Sequence, residues 1–301
     1  MTTNKILITG GTGFLGSHLV HRLSQRGYAL TVLSRDADKV KQQFGSLALP
    51  VTRVTDLADA GTFKAVINLA GAGIFDRRWT AARKQILRDS RIRLTQELVH
   101  WISTSQTPAE VLISGSAVGI YGDQGDVVLI EDSASRADFS QQLCADWEYA
   151  ALQAADYTRV CLIRTGLVLG SNGGLLQRMR LPFQWGLGGA IGRGQQWMSW
   201  IHVEDWLAIV ERMLDDRQMS GAYNATAPNP VTNQTFSASL AHLLNRPMLL
   251  PLPANAMKLL LGEMATLVLG SQRVLPQRLL AEGFKFEYPD LETALRKLLQ
   301  P

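Results

Sequence analysis

Lys5-Ile6-Leu7-Ile8-Thr9-Gly10-Gly11-Thr12-Gly13-Phe14-Leu15-Gly16 carries an apolar run straight into glycines at every third position. Where such a run leaves a strand and opens a helix, each glycine has its own job. The first permits the tight turn, the second lets the backbone approach a pyrophosphate, and the third lets the helix lie close on the sheet. The pyrophosphate then rests on the helix N-terminus, where unpaired N–H groups and the macrodipole favour negative charge. An amphipathic pattern (Phe14, Leu15, Leu19, Val20, Leu23) leads out of the turn. A second apolar run, residues 30–33, follows about 20 residues after the first glycine, as in a βαβ dinucleotide unit. Gly10, Thr12, Gly13, Phe14, Leu15 and Gly16 are therefore expected to hold a dinucleotide.

The end of the second run, Leu33-Ser34-Arg35, selects which one. NAD sites usually place a carboxylate there for the ribose 2′-OH, whereas an arginine accommodates a 2′-phosphate. Ser34 and Arg35 offer a hydroxyl and a planar fork of donors, so NADP(H) is the expected cofactor. Asp36 and Asp38 remain within reach of a ribose in the competing reading.

Strand-like runs at residues 5–8, 30–33, 51–54, 66–69, 111–114 and 160–164 alternate with helical ones. That alternation predicts a Rossmann-type α/β fold with a doubly wound parallel sheet. After Gly170 glycines and prolines cluster between short helices, which predicts a smaller, mostly helical C-terminal lobe. The expected division is residues 1–170 for the dinucleotide domain, with parts of 196–225 returning to it, and 171–301 for the lobe. The net charge of +4 is modest and no basic run is interleaved with aromatics, which argues against nucleic acid. Cys144 and Cys161 lack metal-type spacing and no H-x-x-x-H pair occurs, so no metal is expected and a reducing cytoplasm is. The first strand begins too early for a signal peptide to precede it. The apolar segment 257–269, broken by Lys258 and Glu263, is too short to span a bilayer and reads as a helix packed on the body. No membrane partner is expected.

With these markers in place, the chain resembles the extended short-chain dehydrogenase/reductases, which include sugar-nucleotide epimerases and dehydratases. Asp56-Leu57 is similar to the family's adenine-contacting pair, and Asn68-Leu69-Ala70-Gly71 to its turn after the fourth strand. Ser114-Gly115-Ser116 with Tyr121-Gly122 resembles the serine-rich strand end and Y-G turn. Arg164 to Gly170 resembles the segment beside the nicotinamide, and Trp200 to Asp205 the H-V-x-D element. The resemblance thus implies cofactor contacts from Asp56, Leu57, Leu69, Ala70, Gly71, Arg164, Gly166 and Leu167. A narrower likeness rests on Arg78-Trp79-Thr80, Asp89-Ser90-Arg91, Cys144 to Glu148, Gln196 to Trp200, Gly262-Glu263-Met264 and Arg273 to Pro276. It points to an atypical, epimerase-like subgroup whose C-terminal domain of unknown function corresponds to residues 250–301.

The departure from that family is chemically specific. Its active members use Tyr-x-x-x-Lys, in which the ammonium lowers the phenol's pKa. No Tyr-x-x-x-Lys occurs in this chain, and Cys144 and Glu148 stand at the matching places. A carboxylate raises a neighbouring thiol's pKa, opposite in sign to what the lysine does for the tyrosine. Arg91 stands where the family has asparagine, and it is taken with the cofactor residues. The candidate catalytic residues are Ser116, Glu148 and Cys144, against readings of Cys144 as a buried hydrophobe and Glu148 as the ion-pair partner of an arginine such as Arg91. Trp79, Tyr121, Trp200 and His202 are the candidate substrate pocket. These features predict an oxidoreductase acting on an unidentified small molecule, with His202 or a water as further proton donors. A non-catalytic NADP(H) sensor is the alternative, and a nucleotide-sugar epimerase is a weaker one. A homodimer is compatible with all three.

Overall fold

Buried runs of aliphatic residues such as Ile6-Leu7-Ile8 and Val66-Ile67, apolar on both faces, form the strands of a fully covered parallel sheet. The structure, a computed structural model, describes residues 4–248 and 251–300. The central strands are β1 (Lys5–Thr9), β2 (Ala29–Leu33), β3 (Ala48–Val51), β4 (Ala65–Asn68), β5 (Val111–Ala117), β6 (Arg159–Thr165) and β7 (Gly221–Ala225). They form one sheet in the order β7-β6-β5-β4-β1-β2-β3, all parallel. The direction of winding reverses between β1 and β4. In an open sheet of this kind the ligand crevice lies beyond the carboxyl ends of the strands at that switch point.

The helices are α1 (Phe14–Gln25), α2 (Ala37–Phe44), α3 (Ala81–Asp89), α4 (Ile92–Thr104), α5 (Phe139–Leu152), α6 (Gly174–Gln184), α7 (Val203–Asp215), α8 (Asn233–Leu243) and α9 (Ala254–Leu261), with further helices beyond. Strand alternation divides the core. Ile6, Ile8, Ile67 and Ile113 meet Leu19, Val20 and Leu23 of α1 and Trp206, Ile209 and Val210 of α7 on one face. Leu7, Val66, Leu112 and Leu162 meet Leu98 and Ile102 of α4 and Ala151 of α5 on the other. A third cluster joins α6, α8 and the last helix, Leu291–Leu299, into the C-terminal lobe.

The doubly wound sheet follows the sequence expectation, with β7 at its edge and α7 packed on one face. Two details differ. The third strand covers Ala48–Val51 and not 51–54, because a 3-10 turn begins at Val54. Pro50 fits within it, since β3 is an edge strand and needs no donor on its open side. The segment 257–269 is not one packed helix. It breaks at Gly262, whose φ of +60° suits glycine, and α9 has no buried residue. Among the described residues no helix is long and apolar enough to cross a membrane.

Candidate active site

The glycine turn at the switch point divides its labour as the spacing predicts. Gly10 has φ +69°, and a Cβ there would lie 2.7 Å from the Leu69 carbonyl carbon. A Cβ on Gly16 would collide with the Gly10 carbonyl oxygen, so only glycine lets α1 start this close to the turn. A Cβ on Gly13 would meet nothing but Gly10 O, at 3.2 Å, and would otherwise face open space. Gly11, not singled out from the sequence, is held against Val32, where a Cβ would lie 2.9 Å from a valine methyl. Phe14 lies across Gly170 and Gly173, linking the turn to the start of the C-terminal lobe.

Thr9 ties the two facing turns together. Its hydroxyl accepts from the Leu69 and Ala70 N–H groups at 3.1 Å each and donates to Asn68 Oδ1 at 2.8 Å. Between the turns opens a cleft of about 1290 Å³, lined by Gly10 to Gly13, Leu33 to Arg35, Thr52 to Thr55 and Leu69 to Gly73, with Leu94 and Trp101 of α4. A cradle of exposed backbone that a side chain would fill fits a dinucleotide.

The far end of the cleft is cationic. Arg35, Lys39 and Arg53 line it, and Arg35 and Lys39 make no ion pair among the described residues. Asp36 caps α2 by accepting from Lys39 N at 2.9 Å, and the fully exposed Asp38 lies 3.9 Å from Lys41. The two carboxylates that competed for a ribose are thus engaged locally. Lys39 and Arg53 were missed in the sequence. Lys39 lies in the first turn of α2, four residues after Arg35, and lines the same cleft.

A second group of side chains gathers where β5 and β6 run side by side, with Ser116 opposite Arg164 in register. Ser116 Oγ donates to Glu148 Oε1 at 2.6 Å. Arg164 grips the same carboxylate with both prongs, Nε to Oε1 and Nη2 to Oε2, each at 2.9 Å. Its Nη1 donates to Tyr121 Oη at 3.0 Å and Glu131 O at 2.7 Å, and Tyr121 donates to Asn224 Oδ1 at 2.6 Å. Burial acts to lower the Arg164 pKa, but the hydrogen bond and charge of Glu148 outweigh it and raise it. A cavity of about 350 Å³ touches Tyr121, Glu148 and Arg164. Burial, then the Glu148 charge, pushes the Cys144 thiol up to about 12, so it stays neutral.

Residues 6–226 match the model of the NAD dependent epimerase/dehydratase family, and residues 252–298 match a domain of unknown function, DUF1731. The chain belongs to the NAD-dependent epimerase/dehydratase family. It is 41% identical to the chloroplastic epimerase family protein SDR39U1 homolog of Arabidopsis thaliana, over 98% of this chain and 86% of that one. It is 39% identical to the epimerase family protein YfhF of Bacillus subtilis, over 98% and 97%. Among solved structures, human SDR39U1 crystallised with NADPH superposes with a TM-score of 0.89 at 33% identity, covering 98% of each chain.

Several residues assigned through the family resemblance lie elsewhere than expected. Leu57 is buried in the core, and Asp56 turns to Arg53, whose hydrogen bond lowers the Asp56 pKa. Thr52 to Thr55 line the cleft in their place. Gly166 and Leu167 are half-buried and do not line this cleft: a Cβ on Gly166 would strike the Ser199 carbonyl oxygen, and Leu167 packs against the lobe core. Arg91 sits behind the Gly71 turn, donating to Leu87 O and Ala72 O over the face of Trp147; it shapes the cleft from outside. Glu148 pairs with Arg164 and not Arg91. Trp79 is buried against Phe139, and Trp200 is buried with its indole N–H on Asn229 O; both are core residues.

His202 is buried as well. Its Nδ1 accepts from Glu204 N and caps α7, and its ring stacks on Tyr288 at 3.9 Å. Burial lowers its pKa to about 4, the charges of Glu287 and Lys297 acting in opposite directions. The imidazole is therefore a neutral cap and no proton donor near pH 7. A base whose folded pKa lies below its unfolded 6.5 contributes stability above pH 6.5 and loses it as pH falls towards 4. At about 1.4 kcal/mol per pH unit, less solvent screening, the loss comes to about 2 kcal/mol. In urea melts between pH 7 and 4, His202→Asn, which keeps a capping acceptor, is expected to flatten this slope. An unchanged slope would place the acid sensitivity in other groups.

Proposed function

We propose that this chain is an NADP(H)-dependent oxidoreductase of the atypical short-chain type, in which Ser116 and Glu148 together move the proton, Cys144 and Glu148 standing where the family has its tyrosine and lysine. The observation that carries it is the Ser116 to Glu148 hydrogen bond, held by Arg164 on the strand next to β5. Ser34, Arg35, Lys39 and Arg53 would bind the 2′-phosphate, and the Gly10 to Gly13 turn the pyrophosphate. When bound, the nicotinamide supplies or accepts a hydride. Because the Ser116 hydrogen already points at Glu148, its oxygen lone pairs are free to accept the proton of a substrate hydroxyl as its own proton passes to Oε1. In the direction of carbonyl reduction the two transfers reverse. Arg164 aims the carboxylate, and the neutral thiol of Cys144 fills the space beside it. Two free, buried cysteines suit a reducing cytoplasm.

The bidentate grip of Arg164 on Glu148 favours one second reading, a cofactor-binding module without turnover. Glu148→Gln separates them. The oxidoreductase reading expects kcat to fall about 10²–10⁴-fold in NADPH oxidation with a panel of small aldehydes and ketones. NADPH affinity should change less than about twofold, since the amide keeps the shape. Turnover unaffected by the substitution would remove Glu148 from the mechanism, and no turnover by the unsubstituted protein on any member of the panel would favour the module.

A further inference from the structure

We propose that the end of α6, the loop after it and α9 together form a docking surface for an anionic lipid bilayer. Leu259, Trp185, Leu187 and Leu260 are 81%, 73%, 69% and 66% exposed, four of the five most exposed large apolar side chains among the described residues. No residue of α9 is buried; Leu261 packs against the Trp79 cluster, but packing within the chain gives no reason for Leu259 and Leu260.

These side chains are carried on one stitched backbone. Arg246 Nε donates to Gln184 O at 2.8 Å, Leu252 N to Ala190 O at 2.7 Å, and Gly192 N to Leu252 O at 2.8 Å. The Arg78 guanidinium holds the carbonyls of Leu259 and Leu260, fixing the end of α9.

Charge selects the occupant. Residues 171–203 and 218–262 contain Arg178, Arg180, Arg193, Arg246 and Lys258 and no Asp or Glu, and the carboxylates beside them, Glu263 and Asp76, are already paired, the first with Lys84 and the second with Arg83 and Arg178. Arg180 and Lys258 are exposed and make no ion pair among the described residues. A second copy on a two-fold axis would set this face against itself, cation against cation. An anionic bilayer offers apolar depth to the leucines, an interface to the tryptophan and phosphates to the cations. The attachment is peripheral, which revises the sequence expectation of no membrane partner while leaving the absence of a spanning helix intact.

The test is co-sedimentation with vesicles. The protein is expected to bind vesicles containing phosphatidylglycerol at least about tenfold more tightly than pure phosphatidylcholine, and to be released at about 0.5 M salt. The double substitution Leu259→Glu, Leu260→Glu should weaken binding at least about tenfold, and Trp185→Glu should weaken it too. Melting temperature and NADPH affinity, read on the same samples, should not change. Failure to bind phosphatidylglycerol vesicles, or binding insensitive to these substitutions, would overturn the proposal. So would a dimer in gel filtration that the same substitutions dissociate, which would assign the face to a second copy. A failure of the oxidoreductase reading would leave these outcomes untouched.

Discussion

Gly13→Val is expected to remove measurable NADPH binding, a loss of at least about a hundredfold or 2.7 kcal/mol, while the protein stays folded. The prediction follows from two features of the same residue. Gly13 has φ −81° and ψ 177°, an extended conformation open to any side chain, so the substitution asks only for a small shift from Gly10 O. Its would-be Cβ faces the cleft and meets only Gly10 O, so the valine methyls occupy the space a pyrophosphate needs. Gly16 provides the contrast, since a Cβ there strikes backbone and the damage falls on the fold. Titration calorimetry beside a thermal melt reads both quantities. A folded Gly13→Val protein that binds NADPH within a few-fold of the original would reduce the glycine turn to a structural element.

Arg164→Met is expected to cost about 3–5 kcal/mol of stability, because it strands a buried carboxylate that the guanidinium now satisfies at both oxygens. The side chains of this pair are 13% and 8% exposed, so water cannot take over the role. The loss should not be additive. With Glu148→Leu in place the charge that needed a partner is gone, and adding Arg164→Met should cost far less than it does alone. Urea unfolding of the two single variants and the double variant measures the coupling. A loss below about 1 kcal/mol for Arg164→Met would mean that Glu148 is satisfied without it, and the proposed aiming of the carboxylate would fail with that result.

The first turn was legible from the chain because its constraints are local. A strand, three spaced glycines and a helix start lie within a dozen residues, and the structure finds Gly10, Gly13 and Gly16 each in the surroundings its spacing implies. Ser34 and Arg35 line the same cleft because they end the strand beside that turn. The partner of Glu148 was not legible. Arg164 lies 16 residues further on and reaches it only because β5 pairs with β6 in a register that sets Ser116 opposite Arg164. Strand register is a long-range fact that spacing along the chain does not carry. His202 and Trp200 misled for a different cause, because strand ends that face a crevice and strand ends that enter a helix look alike in composition. The signal that separates them was present. Glu204 and Asp205 directly after Val203 mark the first turn of a helix, which makes the residue before it a cap. Leu57 likewise faces inward because its 3-10 turn presents alternate sides to core and cleft, a geometry that a pair of adjacent residues cannot announce.

Paired calorimetric titrations with NADPH and NADH decide whether this cleft takes a dinucleotide with a 2′-phosphate. With Arg35 and Lys39 unpaired at the cleft's end, NADPH should bind at least about tenfold tighter than NADH, or about 1.4 kcal/mol, and Arg35→Asp should invert the order. Equal affinities for the two dinucleotides in the unsubstituted protein, or an order that Arg35→Asp leaves unchanged, would contradict a 2′-phosphate site.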